Sequence, residues 1–375
     1  MAVILGGSHA RGEAVWAELP GRRVCLSDLD LHVLLADPSA RQAAERAAAA
    51  GRAGMVAKLR GLGLAGPLEL GFHTLSEWTR MPARPATLEL RRCGLVLAGE
   101  REWRERLPAW RPRDIPPEEI RLLIENRAFE LIAARFGGSE GDEALQALRA
   151  AHAQYKVALD LAGVERLASG AYEDTAVARV QAARAARAEL ARDGRIPTAG
   201  AGPSEAADEP AWSAALAWLG GHVPAAHERE SDWWNIARAW VRAWSLAVAP
   251  ATVPADFEAA ARGAARRARL RRRVRMALRP EMRRGLAPPL AGRIGHAFAG
   301  TPQHRLNASA GAFLAAQSSA RDSPESREAI AARLERVLGR LGAVRPGGDD
   351  AATAAALLET WDRWVMGGPR GMERP

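Results

Sequence analysis

The chain has 375 residues, 48% of them hydrophobic and 26% charged, enough to bury a sizeable core in each of two or three domains. Its formal net charge is +9, but lysine occurs only at Lys58 and Lys156, so the positive charge rests on arginine in an alanine-heavy chain. That pattern follows a GC-rich coding sequence and argues little for a polyanionic partner. No apolar run reaches the ~18 residues of a membrane span, and no basic segment precedes an apolar one near residue 1. Neither a span nor a signal peptide is expected, and the expected compartment is the cytoplasm. Cys25 and Cys93 are too few for a disulfide framework or a zinc site, which fits a reducing compartment.

In chain order, Val3 to Leu5 predicts a short buried strand. Gly6-Gly7-Ser8 after it predicts a turn whose backbone can approach a ligand and offer N–H groups to phosphate oxygens. Arg11-Gly12-Glu13 follows; Arg11 is near enough to Ser8 to reach the same phosphate, while Glu13 has no assigned role. Trp16 to Arg23 predicts a hairpin-like rim loop. Val24 to Leu35 predicts one strand in which Asp28 and Asp30, two residues apart, project from the same face, with His32 continuing it in support. Two like charges a few ångströms apart raise one another's pKa or recruit a cation, and paired carboxylates suit the hard ions Mg²⁺ and Mn²⁺. In a two-metal site the ions stabilise both the entering and the leaving oxygen of an in-line displacement.

Such a site wants a third carboxylate from a neighbouring strand. Glu69, in the strand-like run Pro67-Leu68-Glu69-Leu70-Gly71-Phe72, is the first candidate. Glu89, in Thr87-Leu88-Glu89-Leu90-Arg91-Arg92, is the second, because its neighbours suit a helix. Pro38 to Arg60 predicts a helix, and Gly94 to Gly99 is a short apolar run bounded by glycines.

Taken together, a Gly-Ser turn after a strand, the following Arg-Gly-Glu, the Asp-x-Asp strand at Asp28 and Asp30, and a third acidic strand resemble the DNA polymerase beta superfamily of nucleotidyltransferases. The resemblance covers roughly the first hundred residues. It implies an α+β fold with a mixed sheet flanked by helices. Gly6, Gly7, Ser8 and Arg11 would hold a nucleoside triphosphate, ATP being the expected one, and Asp28, Asp30 and Glu69 would bind Mg²⁺ or Mn²⁺. A nucleotidyl group would move to an acceptor hydroxyl with release of pyrophosphate. Three departures stand out. The loop from Ser8 to Asp28 is longer than in the family's minimal members, the third acid is Glu where Asp is commoner, and the chain opens on the first strand without the helix that usually precedes it.

Prolines at 108, 112, 116 and 117 mark the expected domain boundary. The resulting division is a nucleotidyltransferase domain over 1–110, a helical domain closing the nucleotide cleft over 111–195, an acidic Gly/Pro/Ser linker over 196–210, and a mainly α-helical C-terminal region over 211–375. Helical pattern runs through 116–136, 140–168 and 172–193. Asn126-Arg127, and Lys156 with Asp160, loosely resemble helical regions that accompany some bacterial nucleotidyltransferase domains, where a lysine would neutralise triphosphate charge. The plainer alternative for Lys156 and Asp160 is an i,i+4 surface pair. Tyr172 is expected to pack rather than stack on a base. Trp233, Ile236, Trp240 and Trp244 recur at steps of three and four and predict a core-facing helix rather than a platform for bases. His222 and His227 are expected at the surface.

Three functions from different classes compete. The first is metal-dependent nucleotidyl transfer to a small molecule, a protein or an RNA end. The second is a catalytically degenerate nucleotide-binding regulatory module. The third is a nucleic-acid or partner-binding scaffold built on the Arg-rich segment 266–284, for which the plainer alternative is a solvated helix whose apolar seam packs on the domain.

Overall fold

The computed structural model describes residues 1–137, 141–193, 208–248, 302–319 and 349–364. The Arg-rich segment 266–284 and most of the 196–210 linker lie outside the described residues. The protein is mixed α/β and mostly helical. It divides into two compact units: Met1–Ile120 with Gly141–Gly200 and Trp212–Ala225, and Arg121–Glu140 with Ala201–Ala211 and Ala226–Pro375.

The first unit is built on a four-stranded mixed sheet in the order β5-β4-β1-β6. Strand β1 (Ala2–Leu5) pairs antiparallel with β4 (Leu29–Leu35) and with β6 (Leu95–Ala98), and β4 pairs parallel with β5 (Leu68–Thr74). A parallel neighbour needs a long crossover, and helix α2 (Arg41–Gly61) supplies it between β4 and β5. Ala2 and Ile4 are buried while Val3 and Leu5 are half-buried, the period-2 alternation of a strand with one face on the core. That core gathers Ala2, Ile4, Leu34, Leu90 and Leu107 around Trp78, whose indole Nε1 donates to the Trp103 carbonyl.

The rim loop is a hairpin of β2 (Trp16–Leu19) and β3 (Arg22–Cys25), with Trp16 opposite Cys25. The single strand expected over 24–35 is corrected here: β3 ends at Cys25 and β4 begins at Leu29. The break has a hydrogen-bonding cause. The buried Ser27 hydroxyl accepts the Val15 amide, Leu26 N–H goes to the Val15 carbonyl, and Leu29 N–H goes to the Pro67 carbonyl, so the chain changes sheets across Leu26 to Asp28. Gly66 makes the crossing close, since a Cβ there would lie 2.1 Å from the Ser27 carbonyl oxygen.

The remaining elements of this unit follow from their caps. Helix α1 (Gly7–Ala10) is a single turn, and α3 (Leu75–Trp78) opens on a Thr74/Glu77 capping box. Helix α4 (Pro85–Cys93) carries proline in its first turn, and α5 (Glu102–Glu105) is short. Asp142 caps α7 (Glu143–Ala168) and Thr175 caps α8 (Ala176–Arg192). Between units, α6 (Pro117–Phe136) runs from residue 117, and α9 (Asp208–Leu219) begins at Asp208, so residues 208–210 are helix where a linker was expected.

The second unit is helical in its described parts: α6 from Arg121, α10 (Ala226–Val248), α11 (Pro302–Ser319) and α12 (Asp350–Trp364). Trp233, Ile236, Trp240 and Trp244 of α10 are all buried, the core-facing stripe expected from their spacing. The Trp233 and Trp240 indoles donate to the Leu131 and Ile124 carbonyls. No described helix is long and apolar enough to cross a membrane.

Candidate active site

Three carboxylates and a lysine meet at one end of the sheet. Asp30 is the second residue of β4 and stands opposite Glu69 of β5 in the parallel register. Asp28 lies just before β4 and forms an ion pair with Lys156, Nζ to Oδ2 at 2.7 Å. Lys156 comes from the middle of α7, 128 residues away, so the lysine reaches across the fold rather than only along its own helix. The Gly-Ser turn sits against the same carboxylates: Gly6 N–H donates to the Asp30 carbonyl at 2.8 Å, and Gly7 takes the left-handed φ of +63° that places it over the Asp30 side chain. Gly7, Ser8 and His9 form the first turn of α1, whose amides a helix does not itself pair.

The electrostatics of this corner follow from its crowding. Burial, then the charges of Glu69 and Asp28, push the Asp30 carboxyl up to about 6, while Lys156 and Arg11 pull the other way. His32, next on the same face of β4, packs beside His73 of β5 with Nδ1 and Nε2 3.1 Å apart, and Trp78 lies edge-on to it. Burial and the neighbouring His73 hold His32 down to about 4, so it stays neutral beside the carboxylates. One turn before Lys156, His152 is also held down to about 4, by burial first and Lys156 second; its buried Nδ1 has no hydrogen-bond partner among the described residues.

Hard oxygen donors in this number suit Mg²⁺ or Mn²⁺. Among the described residues, no three Asp, Glu, His or Cys side chains are yet gathered as a metal-holding group. Lys156 already neutralises Asp28. The donor chemistry therefore fits a divalent ion, and Asp28 would have to exchange its lysine for it.

Arg11 occupies a different environment from the one its spacing suggested. Its Nε donates to Glu13 at 2.9 Å and its Nη1 to Glu89 at 2.5 Å. Glu89 lies on α4, not in a strand, and both its oxygens are taken: Oε2 by Arg11, Oε1 by the Tyr172 hydroxyl at 2.6 Å and by Arg179 at 3.2 Å. Glu89 is thereby tied into an ion-pair network, leaving Glu69 as the acid across from Asp30. Tyr172 is buried and packs under the Arg179 guanidinium, 4.8 Å from the ring centre, as expected of a packing residue. Asn126 and Arg127 belong to the second unit, where Arg127 pairs with Glu130. His222 and His227 are exposed.

Sequence reasoning missed His73, His152, Arg179 and the role of Glu13. His73, Arg179 and Glu13 bond residues distant in the chain, His32, Glu89 and the Ala176 amide, and only Glu13, beside the Arg-Gly pair, stood near a recognisable signal. No family model matches the chain, and no curated protein or solved structure is significantly similar to it.

Proposed function

We propose that the protein is a metal-dependent nucleotidyltransferase of the DNA polymerase beta type, moving a nucleotidyl group from an NTP, with ATP the first to test, onto an acceptor hydroxyl. One observation carries this reading: a glycine turn, two aspartates, a glutamate and a lysine from four separate segments converge at the end of a mixed sheet. The antiparallel β1–β4 pair and the parallel β4–β5 pair are consistent with the nucleotidyltransferase fold.

In this reading Gly6, whose N–H is held by the Asp30 carbonyl, shapes the turn, and Gly7 and Ser8 bind the triphosphate through their backbone N–H groups and the Ser8 hydroxyl. Asp28, Asp30 and Glu69 would hold Mg²⁺ or Mn²⁺, which supplies Lewis-acid stabilisation of the phosphoryl oxygens when bound. Lys156 turns from Asp28 to the phosphates and offsets their charge. The acceptor oxygen forms a bond to the α-phosphorus as the α–β phosphoanhydride breaks. Pyrophosphate leaves, and the hydroxyl proton passes to a carboxylate, with Glu69 the nearest in register to Asp30. The acceptor is a small molecule, a protein or an RNA end.

The Lys156–Asp28 ion pair also favours a second reading, a nucleotide-binding regulatory module in which the lysine permanently replaces a metal. One experiment separates the two. The protein is incubated with Mg²⁺ or Mn²⁺ and each α-labelled NTP, with and without cell extract, beside Asp28→Ala/Asp30→Ala. Label transfer and pyrophosphate release by wild type alone support the transferase. Equal signals from both proteins refute it, and nucleotide affinity without turnover leaves the regulatory module.

A further inference from the structure

The polar network around Arg11 is larger than packing requires. Arg11 follows the Gly-Ser turn and is nearly buried, with 12% of its side chain exposed. Five charged groups and a tyrosine make up the network about it. Glu13 accepts Arg11 Nε through Oε2 and, through Oε1, the Ala176 amide at 2.6 Å, so it also closes the first turn of α8. Glu89 accepts Arg11 Nη1 and is itself gripped by Tyr172 and Arg179. Arg92 donates to the Tyr172 carbonyl at 2.9 Å and to Asp174, fixing the segment that carries the tyrosine.

Two of the three guanidinium nitrogens of Arg11 are thus committed. Nη2, with two N–H donors, makes no hydrogen bond among the described residues. Arg11 stands three residues after Ser8, and its backbone N–H closes the single turn of α1 on the Gly7 carbonyl at 3.3 Å. Two carboxylates hold the guanidinium through Nε and Nη1 and leave Nη2, and charge-assisted N–H donors on an arginine fixed in this way suit phosphate oxygens.

We propose that Glu89, Tyr172 and Arg179 are positioning residues that lock the Arg11 guanidinium so that its open Nη2 edge meets the phosphates of the bound NTP. The inference rests on the nucleotidyl-transfer reading and extends it, assigning Glu89 to orienting the anion-binding arginine rather than to the metal. Because the brace runs through α4 and the start of α8, it also gives a physical reason why residues 170–179 share a unit with the sheet. Tyr172 contributes a hydroxyl, not a stacking face: its ring is covered by Arg179.

A double-mutant cycle tests it. ATP affinity with Mg²⁺ is measured by calorimetry for wild type, Arg11→Ala, Tyr172→Phe and the double variant, together with amide exchange over residues 7–13. Losing the hydroxyl bond to Glu89 should weaken ATP binding about tenfold in the wild-type background and leave affinity unchanged in the Arg11→Ala background. Exchange over residues 7–13 should quicken in Tyr172→Phe while the hairpin at 16–25 is unaffected. Additive losses in the cycle, or no loss from Arg11→Ala, overturn the brace while the transferase reading survives. A wild type that binds none of the four NTPs overturns both.

Discussion

A Cβ built on Gly7 would fall 2.1 Å from Oδ2 of Asp30, and the glycine's φ is +63°. The turn and the carboxylate therefore occupy space that only glycine leaves open. Gly7→Ala should cost roughly 1 to 2 kcal/mol from the backbone alone, and more from displacing Asp30. Gly12 is the control, because its φ of +72° is as strained for alanine but no atom lies within 4 Å of its Cβ position. Urea unfolding and nucleotide transfer should show Gly7→Ala less stable and inactive, and Gly12→Ala strained but active; indistinguishable variants would rule out the steric account.

Asp30 makes the active corner unstable when ionised. Its carboxyl is raised from an ordinary 3.8 to about 6, so the native state binds the proton more tightly than the unfolded chain does. The sign follows: this group stabilises the fold fully below about pH 4, and its contribution is lost as pH rises through 6. Asp30→Asn should then be more stable than wild type at pH 7 in chelator, by on the order of 2 kcal/mol after allowance for solvent screening. The gap should close towards pH 4. His32 and His152, both held near 4, act in the opposite sense and remain in both proteins, so the difference between the two unfolding curves isolates Asp30. A gap that does not depend on pH would show that Asp30 titrates normally.

The local parts of this site were legible because each has a short-range signature. Alternation placed Glu69 in a strand and helix formers placed Glu89 in α4. The hairpin announced itself as an insertion, and the tryptophan spacing marked the buried face of α10. The break at Leu26 to Asp28 was not legible, because it is made by Ser27 and Pro67 bonding residues in other elements while the local sequence still reads as apolar strand. Lys156 looked like half of an i,i+4 pair, and its partner Asp28 lies 128 residues away. Arg11 was singled out for a phosphate from its distance to Ser8, while its partners Glu89 and, beyond it, Tyr172 have no common pattern in the chain.

On the transferase reading, Lys156 and a divalent ion would compete for Asp28. Removing the lysine leaves Asp28, Asp30 and Glu69 facing one another with less compensation, so Lys156→Met should lose about 1 kcal/mol at pH 7 without divalent ions; the pair is partly exposed, which limits the loss. With the competitor gone, Mg²⁺ should bind the free protein more tightly, and the rise in Tm on adding Mg²⁺ should be larger for the variant than for wild type. Transfer should nevertheless fall, since the phosphates lose a counter-charge. Equal Mg²⁺-induced shifts in the two proteins would mean that lysine and metal do not share Asp28.

Trp240 settles how the tryptophan-rich half can be probed. Its side chain is fully buried, its Nε1 donates 2.7 Å to the Ile124 carbonyl, and its ring lies stacked beside Trp244 at 6.4 Å. Trp240→Ala opens a cavity and should cost about 3 to 5 kcal/mol, whereas Trp240→Phe keeps much of the volume and loses chiefly the hydrogen bond, about 1 kcal/mol. A stacking platform for bases predicts something else: fluorescence quenching by single-stranded RNA, lost in both variants to a similar degree. Burial predicts emission that RNA does not quench and a graded loss of stability from Phe to Ala. Denaturation curves and an RNA titration on the same three proteins distinguish the two, and quenching of wild type that vanishes in Trp240→Phe would overturn the assignment of this face to the core.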